Sequence, residues 1–328
     1  MLVAAAAAFF GLNGTVSKLL IRGGFEPIQL TTFRATGAFL GLLVLVLATR
    51  RTRAMAATAR EVPRLVVYGL LGIFSVPLLY FVAISRLPVG IGLLFEFTAP
   101  AFVALWVRFG ERRQVRRRLW FGLALCLVGL VSVAQLWAGE LRLDGLGVLA
   151  GTVSAILLAA WYVLGATFVA GTTAVGSSDH APAQAKPRRD PLTLTCWGFG
   201  AAAVAGSVLR PWWNFDGSLL TGRSDGVSMG LLAAYLIVFG TIVPYLLITF
   251  AMKHLPPTSI GIIGMVEIIL ASSFAWLLLD EVLVTAQIVG GLILIVGVAL
   301  AESARVTSSR PTPEDTPRAT PPAAPAGR

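Results

Sequence analysis

Charge is what this chain has least of. Asp, Glu, Lys and Arg make up 13% of its 328 residues, against about a quarter in an ordinary soluble domain, and 56% are hydrophobic. A mean hydropathy of +0.82 excludes a water-soluble globule and leaves the lipid bilayer as the solvent. Cysteine is equally sparse. Cys126 and Cys196 lie in separate apolar runs with no CxxC pattern, which excludes a disulfide framework and a thiolate metal site and leaves two small hydrophobes packed between helices. The two histidines, His180 and His254, have no metal-spaced partner and read as solvated or interfacial. HExxH, GxSxG and the phosphate loop GxxxxGK[ST] are all missing, so the sequence implies no metal, no cofactor and no ATP-driven step.

What the chain does have is apolar runs near 2–22, 26–48, 65–85, 88–108, 118–137, 145–170, 191–210, 228–253, 257–279 and 284–303. Crossing a hydrocarbon core of about 30 Å takes roughly 20 residues, so these make ten transmembrane helices joined by short connections. The first run has no basic residues before it and no small-x-small cleavage site after a short apolar core, and reads as a retained span. Two stretches differ: 171–190, a flexible loop, and 305–328, a tail with six prolines. Neither has the apolar surface to offset chain entropy, and both are expected to be disordered.

The formal charge of +10 does not point to nucleic acid, because Lys and Arg sit in short clusters between apolar runs and not on one face. With the N-terminus inside, nineteen Lys or Arg fall on the cytoplasmic side and five on the other, with Lys18 and Arg34 inside spans. Retention of positive residues then places both termini in the cytoplasm. Trp137, Trp212 and Trp213 fall at the outer interface and Trp106 and Trp120 at the inner one, in agreement with that orientation.

An internal repeat follows from five matches at one offset. Gly72, Leu87, Pro88, Gly122 and Gly129 recur 168 residues later as Gly240, Leu255, Pro256, Gly290 and Gly297, and Val76-Pro77 recurs at 167 as Val243-Pro244. Residues 1–138 form the first five-helix repeat and 145–304 the second. An odd number of spans forces the second to enter the membrane in the opposite sense. The connection from Arg108 to Arg118 holds six arginines, whereas its counterpart begins with Asp280 and Glu281, as positive-inside sorting requires of related loops in opposite compartments.

Phe10-Gly11-Leu12-Asn13 with Lys18, Arg34, Pro77, Phe95 to Pro100 (FEFTAP) and Gly122 to Gly129 carry a resemblance to a known family in the first half. Val243-Pro244, Met265-Val266-Glu267, Ala275-Trp276, Leu279-Asp280-Glu281, Gly290-Gly291 and Gly297 carry it in the second. Over about residues 2–303 the chain resembles ten-helix, EamA-type members of the drug/metabolite transporter superfamily. The resemblance implies export of small metabolites through a cavity lined mainly by spans one, three, four, six, eight and nine. One departure is visible. Relatives often have Glu-Pro in span nine, but Ile268 follows Glu267 here, so the residue that would break that helix is missing.

Glu96 and Glu267 are eight and ten residues into their spans, about 12 and 15 Å deep at helical rise, near the midplane. A carboxylate there costs about 2.5–3.5 kcal/mol on insertion scales and normally faces a cavity or a partner. Each is a candidate for a coupling proton or a cationic substrate group, or else a neutral acid bonded to backbone. Asn13, Tyr162, Trp161, Tyr80, Tyr245 and Phe95 are candidate lining, with simple packing the alternative for the aromatics. Lys18 is a candidate substrate contact or a snorkelling cation, and Arg34 is expected to be structural. Pro77 and Pro244 are candidate hinges, or static kinks. The GxxxG spacings at Gly37/Gly41 and Gly147/Gly151 suit close helix contact within the chain or in a homodimer. The pattern points to a non-enzymatic secondary transporter of a small polar or amphipathic solute, an amino acid or a cationic drug. The alternatives are a lipid-directed intramembrane enzyme, which lacks a nucleophile, and a receptor or assembly subunit.

Overall fold

Capping and proline placement set where the helices begin. Pro27 opens α3 (Pro27–Ala48) behind a capping box formed by Glu26 and Gln29. Asp190 caps α10 (Pro191–Leu209) by accepting from the Thr193 amide. The structure is a computed structural model that describes residues 1–87, 89–110, 112, 115–133, 135, 144–170, 189–211, 216–270 and 284–306. Both stretches expected to be disordered fall almost wholly outside these, as do Trp137, Trp212, Trp213, Asp280 and Glu281.

Among the described residues eight helical runs are long and apolar enough to cross a bilayer: Leu2–Arg22, Pro27–Ala48, Val62–Arg86, Ile91–Gly110, Gly145–Val169, Pro191–Leu209, Met229–Ala251 and Thr285–Ser303. The other two segments are α8 (Arg117–Val133), of 17 residues, and the run Pro257–Leu270; residues 271–279 of the expected ninth span lie outside the described residues. The outward faces are greasy, with Leu40, Val44, Val204, Val208, Leu292 and Val296 all exposed. A surface of that kind is stable against lipid tails and not against water. The chain is an all-α integral membrane protein of ten spans in two inverted five-helix repeats. Among the described residues the exception to helix is a hairpin of two-residue strands, β1 (Arg223–Ser224) and β2 (Val227–Ser228), turning through Asp225 and Gly226.

The inversion can be seen in the packing of α8 against α14 (Thr285–Val306), the most extensive helix contact among the described residues. A Cβ at Gly129 would lie 2.6 Å from the Gly290 carbonyl, and one at Gly297 would lie 2.9 Å from the Gly122 carbonyl. Gly122 and Gly290 are repeat equivalents, as are Gly129 and Gly297, so exchanging the repeats exchanges the two contacts. Between them the Cys126 thiol meets the Leu294 carbonyl at 3.8 Å, and those two residues are 168 apart as well. A residue touching its own equivalent marks the two-fold axis. The GxxxG glycines are used within the chain: Gly37 and Gly41 seat Ile237 and Ile242, and Gly147 and Gly151 seat Leu87 and Phe95.

Ion pairs tie helix ends on both sides. At the N-terminal side Arg189 reaches Glu61 at 2.9 Å and the Ala56 carbonyl at 3.1 Å, and Arg51 meets Asp190 at 2.8 Å. Hydrogen bonds from Thr58, then the Arg189 guanidinium, hold the Glu61 carboxyl below the usual range. At the opposite side Asp144 accepts from the Gly147 amide at 2.8 Å, capping α9 (Gly145–Ala170), and pairs with Arg86 at 3.4 Å. The amide bond first, and Arg86 after it, lower that carboxyl.

Candidate functional site: a polar cavity between the repeats

Among the described residues three spans are broken at midmembrane, and the breaks position the polar residues. Span one divides at Leu12 into α1 (Leu2–Gly11) and α2 (Asn13–Arg22), which puts Asn13 at the junction. Span four divides at Phe97-Thr98 between α6 (Val89–Glu96) and α7 (Ala99–Leu105), where Pro100 cannot donate a helical hydrogen bond. In span nine, α13 (Pro257–Gly264) ends before a turn at Met265-Val266, and helix resumes at Glu267. Residues 97–98 and 265–266 are 168 apart, so the interruption belongs to the repeat. It persists in the second half without a proline, through three-residue turns such as Val266 N–H to the Ile263 carbonyl at 3.2 Å. Glu96 is the last residue before its break and Glu267 the first after the other.

Spans three and eight each widen into a π-helical turn before their proline. Gly69–Ser75 precedes α5 (Val76–Arg86), and Val238–Ile242 precedes α12 (Val243–Ala251). Such turns are frequent at functional sites because they loosen the backbone ladder. Pro77 cannot donate to the carbonyl four residues back, that of Ile73. Arg34 Nη2 donates there instead, at 3.3 Å. The corresponding residue before Pro244 is Gly240, where a Cβ would lie 2.6 Å from Asn13 Oδ1.

These elements line a cavity with walls from both repeats. Asn13, Arg34, Tyr80, Glu96, Tyr162, Tyr245 and Glu267 supply its polar groups, and Phe10, Pro77, Phe81, Phe97 and Pro100 are among its apolar ones. Few polar anchors on apolar walls is the usual composition of a small-molecule site. Glu96 and Glu267 lie close enough to interact electrostatically with each other, with Tyr80 and with Tyr162. Asn13 Oδ1, the Tyr80 hydroxyl and Arg34 Nε are buried without a hydrogen-bond partner among the described residues. Unpaired groups of that kind are costly in an apolar interior unless a ligand or water completes them.

Of the residues singled out in the sequence, Asn13, Tyr80, Tyr162, Tyr245, Glu96, Glu267 and Pro77 line this cavity, while Phe95, Trp161, Lys18 and Pro244 stand outside the lining. Phe95 packs on Gly151. Trp161 sits in the notch left by Gly72, stacked on Tyr68 at 5.5 Å and edge-on to Tyr245 at 5.6 Å, one layer behind the wall. The Lys18 ammonium donates to the Ile84 and Leu87 carbonyls, the second at 3.4 Å, at the C-terminal end of α5. Pro244 lies in the first turn of α12, next to the lining Tyr245. Sequence reasoning left out Arg34 as a cavity residue, although an arginine eight residues into a span was itself a signal.

Comparison with known proteins agrees with this architecture. The chain matches the EamA-like transporter family over residues 1–135 and 148–302, one match per repeat. An Archaeoglobus fulgidus protein described as an uncharacterized transporter is 28% identical over 291 residues, covering 88% of this chain and 92% of the relative. The Bacillus subtilis uncharacterized transporter YdfC is 22% identical over 293 residues, 89% of this chain and 85% of its own. A solved crystal structure with 16% identity superposes with a TM-score of 0.72, covering 94% of this chain and 98% of that one, and so shares the fold. With both halves matched by one family and both repeats contributing to one cavity, the chain belongs to the EamA-like transporter family and is a membrane transporter.

Proposed function

We propose that this transporter is a secondary carrier that exports a small polar or amphipathic metabolite, an amino acid or a cationic drug-like solute, by alternating access. The observation that carries this reading is the delivery of one carboxylate from each repeat, Glu96 and Glu267, into a single cavity at equivalent helix breaks. A site between inverted repeats is open to one side in one arrangement and to the other in its mirror arrangement. Glu96 and Glu267 would carry coupling protons or hold a cationic group of the solute, with Asn13, Tyr80, Tyr162 and Tyr245 orienting it. Pro77 and Pro244, each beside a π-helical turn, would be the hinges. The pairing of basic clusters with loop position supports a bacterial-type plasma membrane location with both termini cytoplasmic.

The test begins with metabolite comparison of cells with and without the protein and proceeds to flux of the identified solute in proteoliposomes at imposed pH gradients. Glu96→Gln and Glu267→Gln are expected to cut gradient-driven flux by about tenfold or more, about 1.4 kcal/mol of lost interaction or beyond. An unchanged rate and unchanged pH profile in both would remove the carboxylates from the mechanism.

A further inference from the structure

We propose that Arg34 is an anion-binding point of the cavity, taking the carboxylate of a small solute, and that taking it releases the Ile73 carbonyl and loosens the bend at Pro77. This rests on the transporter reading and adds to it a solute class and a trigger. Arg34 is 2% exposed, yet it lines the cavity. Its guanidinium presents five donors in a planar fork. Among the described residues no carboxylate lies within ion-pair distance of it, although Glu96 and Glu267 line the same space and the Glu96 carboxylate is near enough to interact with it electrostatically.

Its surroundings fall short of what a purely structural cation needs. Nη2 donates to the Ile73 carbonyl at 3.3 Å, the Tyr245 hydroxyl is near enough to accept from the guanidinium, and the guanidinium carbon lies 5.8 Å from the Phe81 ring and 5.6 Å from the Tyr245 ring. Those rings come one from each repeat and hold the cation between the two moving halves. Among the described residues Nε has no hydrogen-bond partner. A carboxylate arriving in the cavity meets that free N–H and the adjacent Nη in a bidentate pair, which is shorter and stronger than the long bond to a neutral carbonyl.

The exchange has a mechanical consequence. Ile73 lies in the π-helical turn, and its carbonyl is the one that Pro77 leaves without its helical donor. While Arg34 is on it, span three is braced against α3. When a solute draws the guanidinium away, the brace is lost. The second repeat has alanines, Ala201 and Ala202, at the places equivalent to Arg34, so its π-helical turn has no such cation. The two hinges are therefore unequal, and solute binding acts on the first.

Equilibrium binding separates this proposal from transport itself. The full chain, purified in detergent, is titrated with alanine, leucine, phenylalanine and 3-phenylpropionate and with the primary amide of each, following thermal melting. At least one acid is expected to raise the melting temperature where its amide does not, a comparison made entirely in the unaltered protein. Arg34→Gln is expected to weaken that binding by about tenfold or more, and Arg34→Lys, which keeps charge but loses the fork, by less. Hydrogen exchange of peptides spanning 69–78 is expected to accelerate with the acid and not with the amide. Acids that bind no better than their amides, binding unaltered in Arg34→Gln, or unchanged exchange would each overturn it. Flux of the same compounds, with phenethylamine added, reads the other question. If only neutral or cationic compounds cross, the Arg34 assignment falls and the carrier stands. If acids bind through Arg34 but nothing crosses, the reverse holds.

Discussion

Two glycines at the same place in the repeat do different work, and substitution separates them. Gly72 leaves the space that the Trp161 indole fills. A methyl group there would drive the indole off its stack with Tyr68, so Gly72→Ala is expected to destabilise the fold by about 1–3 kcal/mol, read as a lowered melting temperature in detergent. Gly240 faces Asn13 in the cavity, with 2.6 Å between its would-be Cβ and the amide oxygen. Gly240→Ala is expected to leave melting within about 1 kcal/mol of the unaltered protein while lowering transport, because the neighbour that must move is a side chain at the site. These glycines were legible in the sequence, since only glycine allows such approaches and the identity therefore survives in both halves. Arg34 was legible as an oddity but not as a cavity residue. Its position depends on which face of α3 meets α5, and no local pattern records that.

At the scale of elements, the spans were legible because a bilayer demands length and apolarity from each one separately. Their interruptions were legible only where proline marks them. FEFTAP carries Pro100 beside its break, but the break at Met265-Val266 has no breaker residue and arises from three-residue turns held by the neighbouring helices. The π-helical turns were legible only as bends at Pro77 and Pro244, since a proline marks a missing helical hydrogen bond and not the wider turn before it. The connection between α3 and α4 (Val62–Tyr68) is held differently, by Glu61 accepting from Thr58 and Arg189. Since the folded carboxyl is held below its usual range, its contribution is complete above the ordinary carboxylate range and disappears as pH falls through the depressed value. The melting temperature is therefore expected to fall on acidification in that window. Glu61→Gln should lower it at neutral pH and flatten that acid limb; an acid limb of unchanged slope would show that the pair does not act as a brace.

For the whole molecule, the inverted arrangement makes a demand that no single helix makes: residues 168 apart must face opposite compartments. Arg116 and Val284 meet that description. Arg116 is exposed just before α8, Val284 is exposed just before α14, and five spans separate the loops that bear them. Cys126 and Cys196 are both fully buried and unpaired, so alanine at each gives a background without accessible thiols. In that background Arg116→Cys is expected to react with a membrane-impermeant maleimide only in inside-out vesicles, and Val284→Cys only in intact cells. Which is which follows from the proposed orientation, with the basic cluster of the loop around Arg116 on the cytoplasmic side. Labelling of both from one side would mean that the repeats run parallel. The exchange of Gly129–Gly290 with Gly122–Gly297 would then have no symmetry behind it, and a cavity shared by the two breaks would lose the means of opening first to one face and then to the other.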